Sequence, residues 1–247
     1  MEQVEVVVAH FERATLRVGD MFVKVDGDQR RLDIEVDVMT RVPVPTPEVL
    51  WRKPHVLALA AVPGTALGRL ETPSTASPEA WAAAGAAVRT FHDAPLPPWP
   101  GKTLDDRVAR LDRECEWLLV NDVLPASVIA RNRALAETAM RPWKQSFIHG
   151  DLQICHVFVD DQDEVTAIID WSEGAPGDAM FDLATLSLAQ EHHLDDLLDG
   201  YGRDAVDVDL IRAWWAWRCL VVVQWLVDAG YGAPEEFTEV AVLRSLA

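Results

Sequence analysis

The chain has 247 residues, of which 49% are hydrophobic, so it can bury a sizeable core in one or two domains. Its formal net charge of −18 at pH 7 argues against nucleic acid and anionic membranes as partners, because both bind basic surfaces. The same charge would attract a cationic small molecule, although many proteins are acidic for solubility alone.

The sequence carries none of the features that mark an exported or membrane-spanning chain. No run of 18 apolar residues occurs, and the first residues, MEQVEVVVAHFER, lack a basic region before their apolar stretch. The three cysteines, Cys115, Cys155 and Cys219, are scattered and odd in number, which suits a reducing compartment. We therefore expect a cytoplasmic protein, and the sequence leaves open whether it is a monomer or a dimer.

Residues 1–62 are expected to form a small lobe that is rich in strands. One helix is predicted from Asp28 to Arg41, where apolar residues recur at helical spacing. Pro63 and Gly64 break the last strand, so we place the boundary with a second lobe, residues 63–247, at this point. The predicted strands are VEVVVA (4–9), ATLRVG (14–19), MFVKV (21–25) and HVLALAAV (55–62).

From Ser77 onward the chain is predicted to be mainly helical. Ser77 and Pro78 supply an N-cap and a proline at the first helical position, and further helices are predicted over 103–121, 127–141 and 207–230. Strands first and helices second favour an α+β fold with two lobes, a small β-rich N-terminal lobe and a larger, mainly helical C-terminal lobe. The last predicted helix is rich in tryptophan. A buried stripe is expected of Trp214, Trp217 and Trp225, and a wall of the substrate site is the alternative.

Two short apolar runs in the second lobe each lead into an aspartate. FIHGDLQICHVFVD (147–160) carries His149, Asp151 and His156, and VTAIIDW (165–171) carries Asp170. An H-x-D triplet with a metal ligand five residues after its aspartate is the form of a kinase catalytic loop. Phosphoryl transfer needs one carboxylate to orient an attacking hydroxyl and further ligands to hold metal on the nucleotide phosphates, and this spacing supplies both.

These segments, with their continuation IIDWSEGAPGDAMFDLA (168–184), resemble the aminoglycoside phosphotransferase family. The wording HVFVD and IIDWSE is especially similar to the macrolide kinases of that family, and weaker similarity runs over most of the chain. The resemblance implies a protein-kinase-like fold with a nucleotide in the cleft between the lobes. It also implies an ATP- or GTP-dependent phosphotransferase that acts on a small hydroxylated molecule.

The resemblance assigns roles to individual side chains of the motif. Asp151 would be the catalytic base that accepts the proton of the substrate hydroxyl, and Asp170 would hold Mg²⁺ on the phosphates. His156 stands where the family usually has Asn; an imidazole can also bind a metal, although it suits Mn²⁺ better than Mg²⁺. His149 and Asp182 are expected to brace the catalytic loop.

The first lobe contains candidates for two further features that the resemblance implies, the lysine that contacts the phosphates and the hinge that contacts the purine. Lys24 in the third strand resembles the kinase lysine that contacts the α- and β-phosphates, and Glu35 is the expected partner that orients it. Asp33 is the alternative partner, since the register of the helix is not fixed by the sequence. The backbone of Ala60 to Val62 would form the hinge that pairs with a purine edge, so side chains there do not separate ATP from GTP.

A glycine-rich phosphate loop is missing from its usual place. The segment between the first two strands, AHFERAT (9–15), contains no glycine, whereas such a loop lets backbone amides approach a phosphate closely. No GxxxxGK[ST] sequence occurs either, which excludes a P-loop. The side chains that could compensate are His10, Arg13 and Thr15, and the sequence does not choose among them.

Two classes of function follow. The first is a phosphotransferase whose acceptor is an aminoglycoside-like antibiotic, a macrolide, or an ordinary metabolite such as choline or a sugar. The acidic charge favours the aminoglycoside, which would make antibiotic resistance the biological role, and His156 with the IIDWSE wording favours the macrolide. The second class is a nucleotide-binding pseudokinase, which the missing glycine loop favours and the presence of Lys24, Asp151 and Asp170 opposes.

Overall fold

The computed structural model describes residues 4–246, and its elements follow the predicted order of strands first and helices second. The strands are β1 (Val4–His10), β2 (Arg13–Val18), β3 (Met21–Asp26), β4 (Val49–Lys53), β5 (Val56–Ala60), β6 (Thr65–Ala66), β7 (Gln145–Ile148), β8 (Val157–Val159), β9 (Val165–Ile168) and β10 (Ala175–Asp178). The helices are α1 (Gln29–Met39), α2 (Pro78–His92), α3 (Leu104–Val120), α4 (Ala126–Glu137), α5 (Ala179–Ser187), α6 (Leu194–Tyr201), α7 (Val208–Asp228) and α8 (Thr238–Ser245).

The first five strands form one antiparallel sheet in the order β1-β2-β3-β5-β4. Helix α1 follows β3 and buries Leu32 against Leu57 and Leu59 of β5, so an apolar layer fixes the helix on the sheet. The prediction of a strand-rich beginning with one helix is confirmed. This packing carries Lys24 of β3 and Glu35 of α1 toward each other, because both side chains lie between the helix and the sheet.

The rest of the described chain is mainly helical. Helix α2 begins at the Ser77 N-cap with Pro78 in its first turn, and Thr103 forms a capping box at the start of α3, as their sequences predict. Two small sheets, β6-β8-β9 and β10-β7, lie among the helices. They matter for function because the loops after β7 and β9 carry Asp151 and Asp170.

Helix α7 is the centre of the core. Trp214 and Trp217 are each 1% exposed, and the Trp214 indole N–H donates to Asp178 Oδ2 at 3.0 Å. Asp178 also caps α5 through the amide of Met180. By length and composition alone α7 could cross a membrane, but 67% of its most apolar window is buried among the described residues, as expected of a core helix.

Two expectations for the end of the chain were wrong. Trp225 does not join the buried stripe: it is 37% exposed and lines the cavity described below. Phe181 of α5 packs on Trp214 and Trp217, which lie about two to three turns before Trp225 along α7, so its ring does not cover Trp225. Helix α7 is not the last helix either, since α8 follows it and buries apolar residues on one side. At eight residues, α8 is too short for its periodicity to stand out in the sequence.

The two tryptophans of α7 provide a matched test of this packing. Trp217→Ala should lower the free energy of unfolding by about 3–5 kcal/mol, because it empties a fully buried indole site. Trp225→Ala should lower it far less, because that ring already borders solvent. Urea unfolding of both variants measures the difference, and equal losses would contradict the placement of Trp225 outside the core.

Candidate active site

Lys24 is the centre of a buried ion-pair network. Its Nζ donates to Glu35 Oε1 at 2.5 Å and to Asp170 Oδ1 at 2.8 Å. Burial alone would lower the pKa of Lys24, but the two carboxylates outweigh it and raise that pKa above its ordinary value. Asp33 is half-exposed and instead accepts a hydrogen bond from Gln29 at 2.9 Å. Of the two partners considered for Lys24, the structure therefore selects Glu35.

Asp170 lies two residues after the end of β9, with its backbone in the left-handed region at φ 64°. Aspartate tolerates this conformation better than most residues, and strained backbone of this kind is often found at functional sites. Burial would raise the pKa of Asp170, but Lys24 and His156 hold it well below its usual range. The carboxylate is therefore ionised and suited to a cation.

The His156 ring is oriented by a backbone contact. Its Nδ1 lies 2.9 Å from the Asp151 carbonyl oxygen, and its Nε2 lies 3.7 Å from Asp170 Oδ2. A metal-binding imidazole is commonly fixed in this way, with one nitrogen donating to a carbonyl and the other left for the metal. Burial would lower the pKa of His156, but Cys155, Asp170 and Asp151 around it raise that pKa to about 10, so a metal would have to displace a proton.

The donor set fits a divalent cation that is shared with phosphates. Asp170 and His156 offer one carboxylate and one imidazole. Within residues 4–246 no group of three His, Cys, Asp or Glu side chains forms a complete metal site. Mg²⁺ is usually held by one or two carboxylates while phosphates and water supply its other ligands, and an imidazole donor shifts the preference toward Mn²⁺.

Asp151 lies in the loop after β7, and its two oxygens have different surroundings. Oδ1 accepts from Arg218 Nη2 at 2.7 Å and from Gln153 Nε2 at 3.2 Å, and neither bond uses Oδ2. Burial would raise the pKa of Asp151, but Arg218 and His156 lower it, so the carboxylate is ionised at neutral pH. One oxygen of Asp151 is thus anchored while the other remains for a ligand.

Arg218 is the site residue that sequence reasoning missed. It lies on α7, 67 residues after Asp151, and belongs to no motif. Its sequence context could have pointed to it, since Arg218 is a charged residue between Trp217 and Cys219 in a strongly apolar helix. A charge in such a segment must find a buried partner, although the sequence does not say which one.

The loop after β7, which carries Asp151 and is the candidate catalytic loop, is held by Asp182 of α5. Its Oδ2 accepts from the His149 amide at 2.6 Å and from His92 Nε2 at 3.1 Å, and its Oδ1 accepts from the Gly150 amide at 2.9 Å. The His149 ring in turn donates from Nε2 to the Ile169 carbonyl at 2.9 Å, which ties the loop after β7 to the loop after β9. The expected bracing roles of Asp182 and His149 agree with these contacts.

One cavity of about 700 Å³ joins these groups. It lies between the first sheet, the catalytic loop and the second half of α7, so it is the cleft between the two parts of the chain. The side chains on its wall that were predicted from the sequence are Lys24, Glu35, Asp151, His156 and Asp170. A single space therefore gives access to the lysine, both aspartates and the histidine.

The predicted hinge lies outside this wall. Neither Ala60 nor Val62 lines the cavity. The Ala60 amide donates to the Glu48 carbonyl at 2.9 Å, so it is already engaged within the sheet. The hinge remains a prediction, and any purine contact there would use groups other than the Ala60 N–H.

The bracing of the loop can be tested by its stability. Asp182→Ala should lower the free energy of unfolding by about 3–5 kcal/mol, because it leaves two amides and the His92 ring without their buried acceptor. Asp199→Ala is the control, since that carboxylate is exposed and pairs with Arg203 on the surface. Urea unfolding that gave the same small change for both variants would rule out the bracing role.

Comparison with known proteins places this geometry in a family. The sequence profile of the phosphotransferase enzyme family (APH) matches residues 9–220. No curated protein sequence matches the chain. Similar solved structures include a choline/ethanolamine kinase family protein from Mesorhizobium loti, with a TM-score of 0.73 and 19% identity over 99% of this chain and 87% of that one.

Two antibiotic kinases are also similar. Macrolide 2′-phosphotransferase type I has a TM-score of 0.70 and 16% identity over 99% of this chain and 90% of its own. The GDP complex of aminoglycoside 2′-phosphotransferase-IIIa has a TM-score of 0.75 and 18% identity over 99% of this chain and 92% of its own. These likenesses establish the fold, a two-lobed α+β architecture of the protein-kinase type, as predicted. With the profile match over most of its length, the chain belongs to the phosphotransferase enzyme family and is a small-molecule kinase.

Proposed function

We propose that the chain is an O-phosphotransferase that moves the γ-phosphate of ATP or GTP to a hydroxyl of a small molecule. The observation that carries this proposal is the double contact of Lys24 with Glu35 and Asp170, on the wall of a cavity that also contains Asp151. Phosphoryl transfer requires a cation for the phosphates, an acid for the metal and an acid for the acceptor, and these side chains match that set.

In this proposal Asp151 is the catalytic base. Because Arg218 and Gln153 hold Oδ1, Oδ2 accepts the proton of the acceptor hydroxyl or keeps that hydroxyl in line with the γ-phosphate. Lys24 binds the α- and β-phosphates, and Glu35 keeps the lysine in position. The lowered pKa of Asp151 keeps its carboxylate ionised at neutral pH, so Oδ2 can accept a hydrogen bond from the acceptor hydroxyl and hold it in line.

Asp170 and His156 would hold the metal, either Mg²⁺ or Mn²⁺. When bound, the ion neutralises charge on the donor phosphates. Asp170 contributes an ionised carboxylate. His156 contributes Nε2, because its Nδ1 already contacts the Asp151 carbonyl. The remaining ligands would come from phosphate oxygens and water.

We assign nucleotide binding to residues 1–62 and catalysis with acceptor binding to residues 63–247. Backbone groups of Ala60 and Val62 other than the Ala60 N–H would contact the purine, and no side chain there separates ATP from GTP. A cytoplasmic location is in keeping with the three cysteines, which are all free thiols.

We call the part of the cavity wall around Asp151 and the second half of α7 the acceptor side; it carries both apolar and neutral polar side chains. Besides Asp151 and Arg218, its charged side chains are Glu71 and Glu239. The acids of α6 that could have attracted a polycation are engaged elsewhere, for example Asp195 with Arg203 at 2.8 Å. The apolar side chains on this wall are Leu70, Ile154, Leu188, Ala189, Val222, Trp225, Leu226 and Tyr231.

This wall supports a second candidate acceptor. An aminoglycoside-like antibiotic is favoured by the family and by the net charge of −18, but a polycationic sugar would find only two further carboxylates here, Glu71 and Glu239. A macrolide, which is an apolar ring that carries an amino sugar, would match apolar side chains with one or two acids. The wall therefore favours macrolide 2′-phosphotransfer as the alternative activity.

The proposal is tested by steady-state phosphotransfer from ATP and GTP to a panel of aminoglycosides, macrolides and simple amino alcohols. One acceptor class should stimulate turnover, and Asp151→Asn should reduce that kcat by about 10²-fold or more without loss of nucleotide affinity. Asp195→Asn is the control, because that carboxylate is exposed and does not line the cavity. Nucleotide binding with no acceptor-dependent turnover would instead indicate the pseudokinase.

Arg218 allows a second kinetic test. Arg218→Met should lower kcat by about 10-fold to 10²-fold, because Asp151 loses the contact that fixes its orientation, while the nucleotide Kd should stay unchanged. Arg110→Met is the matched control: Arg110 also contacts α7, through the Val221 carbonyl at 3.1 Å, but it does not line the cavity. An unchanged kcat in Arg218→Met would refute the orienting role.

A further inference from the structure

The turn between β1 and β2 occupies the place of a glycine-rich loop but is short and contains no glycine. The two strands pair up to His10 and Arg13, which leaves a turn of only two residues. The turn is anchored at its tip, since the Glu12 carbonyl accepts from the Gly27 amide at 3.0 Å and the Glu12 side chain pairs with Arg31 at 3.2 Å. A two-residue turn that is held by these contacts can offer few backbone amides to a phosphate.

Three polar side chains of this hairpin, His10, Arg13 and Thr15, line the cavity, and their contacts distinguish them. The His10 ring packs edge-on against Trp225 at 5.1 Å, on the acceptor side of the cavity. Thr15 is neutral. Arg13 forms an ion pair with Asp26, with Nε 3.0 Å from Oδ2, and its Nη2 donates to Ser172 Oγ at 3.4 Å. Ser172 comes two residues after Asp170. Only Arg13 therefore brings a charge to the segment that carries the candidate metal ligand.

We propose that Arg13 binds the phosphates of the nucleoside triphosphate, in place of the backbone amides of a glycine-rich loop. This inference rests on the proposed function. A guanidinium has five N–H donors in a planar fork that matches phosphate oxygens, and the two contacts of Arg13 leave donors over. The side chain is 34% exposed, so these donors are accessible from the cavity.

The carboxylates on the cavity wall explain why Arg13 would be needed there. Asp26, Glu35 and Asp170 line the same part of the cavity, and they would repel a triphosphate. The cations of the first lobe on that wall are Arg13 and Lys24. Lys24 is shared between Glu35 and Asp170, so a second cation is needed to attract the phosphates into an acidic protein.

A purely structural role, in which Arg13 serves only to neutralise Asp26, is the competing explanation. Asp26 has other partners, however: it pairs with Arg31 at 3.4 Å and accepts from the Asp28 amide at 2.8 Å. It would therefore remain satisfied if Arg13 turned toward a phosphate. Asp26 is 3% exposed and fixed, so it orients the guanidinium at the edge of the cavity.

The test is calorimetric binding of non-hydrolysable ATP and GTP analogues and of the parent nucleosides, with Mg²⁺, to the full chain. Arg13→Met should raise the triphosphate Kd by about 10-fold to 10²-fold and leave nucleoside binding unchanged. Arg31→Met is the matched control, because it removes a cation from the same Asp26 network but does not line the cavity. Arg13→Lys should recover part of the affinity, since it restores the charge without the fork.

The outcomes separate this inference from the proposed function. If the wild type binds triphosphate and Arg13→Met binds it equally well, Arg13 is not a phosphate ligand, although the phosphotransferase proposal stands. An equal loss in Arg31→Met would assign the effect to the Asp26 network and overturn the inference. A wild type that binds no triphosphate would overturn both. Should Arg13→Met fail to fold, Arg13→Lys carries the test, with a smaller loss expected for triphosphate alone.

Discussion

The site depends on one buried cation that holds two carboxylates from distant parts of the chain. Lys24 joins Glu35, 11 residues later, to Asp170, 146 residues later. Buried charges are tolerated only when they are well paired, so each of the three side chains constrains the other two. The contact therefore helps to position α1 on the first sheet. It also determines how closely that sheet approaches the loop after β9. It also leaves Asp170 ionised, as a ligand for metal must be.

The second constraint is the use of the helical core as part of the active site. Helix α7 buries Trp214 and Trp217 in the core, and further along the same helix Arg218 contacts Asp151 and Trp225 lines the cavity. A rigid, well-packed helix is a precise support for a catalytic carboxylate, more so than a loop would be. The same helix supplies apolar surface to the cavity wall, so in the proposed function the packing of the core and the choice of acceptor are linked.

The parts of the site that sequence could predict are those encoded in short segments. Asp151, His156 and Asp170 lie within 20 residues in a recognisable spacing, and the structure brings them to one wall. The Lys24 partner needed the helix register, which the structure resolves in favour of Glu35 over Asp33. Arg218, Trp225 and the Arg13 contact with Ser172 depend on where distant elements meet, and no local pattern encodes that.

The most direct test of the account is a crystal structure of the protein with Mg²⁺ and a non-hydrolysable nucleoside triphosphate. The central claim is that Lys24 holds Asp170 in the free protein and shares it with a metal and phosphates in the complex. The account predicts metal on Asp170 and His156, Lys24 Nζ against the α- and β-phosphates, and the γ-phosphate in front of Asp151. A nucleotide bound elsewhere, with Lys24 still confined to Glu35 and Asp170, would contradict it.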